Sequence, residues 1–69
     1  MTIDDVRARV AAIDATADLV ESAHKEEDRL YYDVLTAIAE GVTNPAELAR
    51  AALTTHDLGL ERYYSQPDV

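Results

Sequence analysis

No glycine or proline occurs before Gly41, and within that uninterrupted stretch the apolar residues Ile3, Val6, Val10, Ile13, Ala17 and Val20 recur at steps of three and four. A run free of both helix breakers and carrying that period closes a stripe along one side of an α-helix, whereas a strand would alternate at every second residue. The start of the helix is marked as well. Thr2 is an N-cap residue, Asp5 three positions on completes the acidic version of a capping box, and Asp4 and Asp5 sit where the helix dipole favours negative charge. Asp5 and Arg9 are spaced as an exposed i,i+4 pair.

The same step continues through His24, Glu27, Tyr31, Val34 and Ile38, so the stripe stays in phase while two polar residues interrupt it. Two structures fit. A single helix from Thr2 to Glu40 would pair as a coiled coil, with His24 and Glu27 as polar seam positions that set register. Alternatively the chain turns near Glu21 and Ser22, Ser22 caps a new helix from Ala23 to Glu40, and the two helices fold back as a hairpin. The hairpin is preferred. The polar run from His24 to Arg29 places acids near a helix start, and Leu30, Val34, Leu35 and Ile38 make a wider apolar face than a coiled-coil seam needs.

Gly41 has the left-handed freedom that ends a helix. The next start is Asn44 as N-cap, Pro45 at the first helical position and Glu47 in the first turn, followed by Leu48, Ala51, Ala52 and Leu53. Thr54 or Thr55 can cap a last short helix, and residues 65–69 form a tail. The expected fold is therefore all-α and a single domain over residues 1–69. It is a small helical bundle with helices at about 2–21 and 23–40 as a long antiparallel hairpin, and two short C-terminal helices at about 45–53 and 55–64 packed over one end. Leu30, Val34, Leu35, Ile38, Leu48, Leu53 and Leu60 are the expected core. The narrow Ile/Val stripe of the first helix suits contact with another helix, and a homodimer across a two-fold axis is one form this could take.

The 69 residues include 14 acids and 6 bases, a formal net charge of -8, and no cysteine. A chain of this size buries only about 60% of the surface its unfolded form exposes, so disulfides, metal or a partner often add stability. The lack of cysteine removes the first of these and most forms of structural zinc. The charge is spread evenly along the chain and argues against nucleic-acid binding, which draws on Lys and Arg at phosphates. Acids stand in the first residues where a signal peptide would carry Lys or Arg, and no apolar run approaches the roughly 20 residues of a membrane span. A cytoplasmic protein with no membrane association is expected.

Few constellations could carry chemistry. His24 and Glu27 lie one turn apart, half of a metal site, but no second copy is present to complete one. His56 and Asp57 are sequence neighbours and point to different sides of a helix. Two serines, one lysine and two glycines offer neither a nucleophile elbow nor a phosphate loop. No enzyme, no cofactor and no metal is expected. Every aromatic residue lies in the doublets Tyr31-Tyr32 and Tyr63-Tyr64. In each doublet one ring can pack inward while the other lies about 100° round the helix. Tyr32 and Tyr64 are the expected exposed members and, as tyrosines, suitable binding anchors.

The segment Val34 to Arg50, with Glu40-Gly41-Val42-Thr43-Asn44 leading into Glu47-Leu48-Ala49-Arg50, resembles the opening of a helix-turn-helix or winged-helix domain. Such a domain needs a recognition helix rich in polar and basic residues. Here the following stretch supplies Asp57, Glu61 and a single Arg62, which points to a helical corner. A second resemblance covers residues 23–64. It rests on Ala23-His24, Glu27-Asp28, Leu30-Tyr31, Val34-Leu35, Ala37-Ile38-Ala39, Gly41, Asn44-Pro45-Ala46, Leu48-Ala49, Ala52-Leu53, Thr55 and Asp57-Leu58. These residues resemble a group of small uncharacterised helical proteins of actinobacteria and their phages. The resemblance implies a setting, a bacterial cell or infected host cell, and transfers no catalytic residue. Relatives close with an aromatic-Arg-Trp ending, where this chain has Glu61-Arg62-Tyr63-Tyr64.

The expected function is that of a non-catalytic acidic interaction protein, a bacterial or phage accessory factor that binds a protein partner with a basic surface through a helical face. Asp14, Asp18, Glu21 and Asp28 would steer the partner, and Tyr32 and Tyr64 would anchor it. Three alternatives remain: a helix-turn-helix-like DNA-binding regulator, a metal-binding or enzymatic protein that would use His24, and a DNA mimic that inhibits a nucleic-acid-binding protein.

Overall fold

The computed structural model describes residues 1–58. Among these the chain is all-helical, without a strand. Helix α1 spans Ile3–Ala15, α2 Val20–Ala39 and α3 Pro45–Leu53, and a short 3-10 turn covers Thr54–Leu58. The expected continuation of a last helix to residue 64, the core position Leu60 and the tail at 65–69 lie outside the described residues. No described helix is long and apolar enough to cross a membrane.

Both halves of the Thr2 capping box form: the Thr2 amide donates to Asp5 Oδ2 at 2.8 Å, and the Asp5 amide donates to Thr2 Oγ1 at 3.1 Å. That contact draws the Asp5 carboxylate away from the expected partner. Arg9 instead reaches across to α2 and pairs with Asp33, Nη1 to Oδ2 at 2.7 Å. At its other end α1 stops about six residues earlier than expected. The Thr16 hydroxyl turns back onto the carbonyls of Ala12 and Ile13, and the amides of Ala17 and Leu19 bond three residues back, to Asp14 and Thr16. A side chain that competes for backbone acceptors, followed by a tightened last turn, closes the helix. The chain therefore turns at residues 16–19, and α2 begins at Val20 with Leu19 in the N-cap position. Ser22 lies inside α2 and caps nothing. An unbroken helix over residues 2–40 is not what forms.

At the far end of α2, Gly41 has φ +89. Its amide bonds to the carbonyl of Ile38 and that of Val42 to Ala37, a Schellman arrangement. Asn44 occupies the N-cap of α3 and Pro45 its first position as expected, though the Asn44 side chain makes no capping bond.

Val6 and Ile13 of α1, Ala23, Leu30 and Val34 of α2, and Leu48 and Ala52 of α3 form the buried core. The stripe of α1 is thus used inside the chain. Leu30, Val34 and Leu48 meet the expectation, and Ile38 packs half-buried at the edge. Leu35 and Leu53 do not: they are 65% and 59% exposed. α1 packs against both α2 and α3, and the side of the α2–α3 contact that carries Leu35 and Leu53 is left open.

Candidate functional site

Two features stand out from this frame, a buried polar cluster and an open apolar surface. The cluster is built on α2, where His24, Glu27 and Tyr31 follow one another at steps of three and four and so share a face. Glu27 is fully buried. Its Oε1 lies 3.6 Å from His24 Nδ1, and its Oε2 accepts from the Tyr31 hydroxyl at 3.3 Å. The same hydroxyl meets Thr55 Oγ1 at 2.5 Å, and Thr55 is itself fully buried. The chain is therefore tied from the middle of α2 to the 3-10 turn through a half-buried hydroxyl between two fully buried partners, Glu27 and Thr55, whose loss of a partner is costly. Sequence reasoning found the His24–Glu27 pair but not the Tyr31–Thr55 link, because 24 residues separate the two side chains and neither lies in a local motif.

Among the described residues no three His, Cys, Asp or Glu side chains come together around one point. The cluster fastens the end of the described chain onto α2.

The residues expected to bind a partner fall in two places. Asp14 is exposed near the end of α1, Asp18 in the connection and Glu21 in the first turn of α2, so three carboxylates gather about the α1–α2 turn. Asp28 is exposed seven residues beyond Glu21, on the same side of the helix and about 10 Å along its axis. Tyr32 follows Asp28 by one turn and is 70% exposed, while Tyr31 turns inward. Tyr64 lies outside the described residues.

Beside Tyr32 the two exposed leucines open onto an apolar groove of about 320 Å³ between α2 and α3. Tyr31, Leu35 and Ile38 line it from α2, and Ala49, Ala52 and Leu53 from α3. No charged residue is among its lining. This groove was not anticipated. The signal was present in the width of the α2 apolar face, which exceeds what one neighbouring helix can cover.

Comparison with protein-family models, curated proteins and solved structures finds no match to this chain.

Proposed function

We propose that this chain is a non-catalytic interaction protein that binds a protein partner with a basic surface, through the acidic outer side of α2 and the turn that precedes it. The observation that carries this reading is Tyr32, a large aromatic ring 70% exposed at the middle of a helix and one turn from Asp28. Tyrosine in such a position offers apolar area and a hydroxyl at low entropic cost, as binding anchors do. Asp14, Asp18, Glu21 and Asp28 act before contact, raising the encounter rate with a positively charged surface. Tyr64 serves as a second anchor. The same proposal takes α1 and α2 as an antiparallel hairpin, and the setting as the interior of a bacterial cell or of a phage-infected host.

The test is capture from bacterial lysate on the immobilised full chain, wild type against Tyr32→Ala, at low and moderate salt. A stoichiometric protein retained by the wild type, released by salt and lost with Tyr32→Ala supports the reading. Equal retention by Tyr32→Ala removes the anchor.

A further inference from the structure

The α2–α3 groove is a separate surface from the steering acids, and its shape limits what can fill it. Its walls are side chains of two packed helices, with no strand edge among the described residues that an extended peptide could join. Two helices side by side present ridges and a furrow, into which a third helix fits by its own ridge of side chains. Tyr31 to Ile38 spans about 10 Å of helix axis, which is two turns and matches anchors at i, i+3 or i+4, and i+7.

Charge narrows the choice further. On α2, Asp28 lies seven residues before Leu35 and hence within about 20° of it round the helix, so a carboxylate extends the groove's line. Arg29 falls on the opposite side of α2, Lys25 stands one turn before Asp28 and farther from the groove, and Arg50, one turn before Leu53, lines the cleft between α1 and α3. The α3 side chains that line the groove, Ala49, Ala52 and Leu53, carry no charge. A second copy of this chain would bring another -8 onto a chain already at -8. A helix flanked by Lys and Arg meets the opposite sign.

We propose that the groove between α2 and α3 is the seat of an amphipathic helix from a partner protein, with apolar anchors between Leu35 and Leu53 and basic residues on its flanks. This rests on the interaction reading above and adds the site and the chemical class of the occupant.

The experiment is fluorescence anisotropy of a labelled Leu/Lys peptide of about 14 residues, leucines at i, i+3, i+4 and i+7, titrated with the full chain. A Leu/Glu peptide with the same leucines serves as control. One-to-one binding of the Leu/Lys peptide alone, weakened about tenfold or more by Leu35→Asp and by Leu53→Asp, is the expected result, since each change puts a charge where a leucine would be covered. Both residues are exposed, so the variants keep their helical circular dichroism. Binding that ignores both variants yet falls on neutralising Asp14, Asp18 and Glu21 would overturn the groove as the seat while leaving the acidic-face reading intact. Binding of neither peptide would overturn the groove proposal, and lysate capture then decides the broader reading separately. A dimer by light scattering that Leu35→Asp dissociates would assign the groove to a second copy. Binding that begins only with Leu60→Asp would assign it to the chain's own C-terminal segment. Either result overturns the proposal.

Discussion

Glu27 shows how the helical period can place a residue that its charge alone would put at the surface. Its position on the apolar stripe of α2 marks it as inward-facing, and the structure buries it completely. The burial is tolerable because Tyr31 donates to it, and Tyr31 in turn holds Thr55. Removing the hydroxyl with Tyr31→Phe is expected to lower stability by about 1–2 kcal/mol, read from urea unfolding followed by circular dichroism. A loss near zero would mean that the link contributes nothing. Asp5 provides a pH test at the same scale. The Thr2 amide, and after it the Thr2 hydroxyl, hold the Asp5 carboxyl below its usual value. A depressed folded pKa contributes stability that is present above the unfolded value and lost as pH falls through the folded one. Asp5→Asn should therefore flatten the stability profile on its acid side, below about pH 4, and leave its slope near neutrality unchanged.

Among the elements, ends fixed by short-range chemistry were legible in the sequence. The capping box at Thr2, the glycine after α2 and the Pro45 start of α3 each depend on residues within four positions of one another. The break between α1 and α2 was not, because the 3,4 period passes through residues 16–19 without a change of phase. What ends α1 there is the back-bonding of Thr16 and the tightened turn that follows it. Ser22→Ala separates the two placements: inside α2 the change should alter stability by less than about 0.5 kcal/mol, whereas loss of an N-cap would cost about 1 kcal/mol. At Gly41 a Cβ would meet open space, yet φ is +89. Gly41→Ala should therefore cost about 1–2 kcal/mol from backbone strain alone, measured by thermal unfolding.

For the whole molecule, three helices share one small core, and that arrangement decides which apolar residues remain outside. Leu30 and Leu35 are equally hydrophobic, and the sequence ranked both as core. Helix phase separates them: Leu30 stands three and four residues from the buried Glu27 and Val34, whereas Leu35 lies about 140° round α2 from Leu30, and which side of so broad an apolar face is covered is decided by tertiary packing. Leu30→Ala should cost about 2–5 kcal/mol, a large part of the stability of a domain this size, while Leu35→Ala should change it little. The candidate surface was legible to the same degree. Tyr32 followed from the doublet and its helix phase, and the groove beside it did not.

In the function we propose, the acids of this chain govern encounter with a partner and its exposed apolar surface governs retention. Stopped-flow association with the captured partner tests it most directly, comparing the wild type with the quadruple neutralisation of Asp14, Asp18, Glu21 and Asp28 and with Tyr32→Ala. The expected result is an association rate about tenfold lower for the neutralised chain with dissociation little changed, and faster dissociation for Tyr32→Ala. An association rate that is unaffected by neutralisation and flat across salt concentration would contradict it.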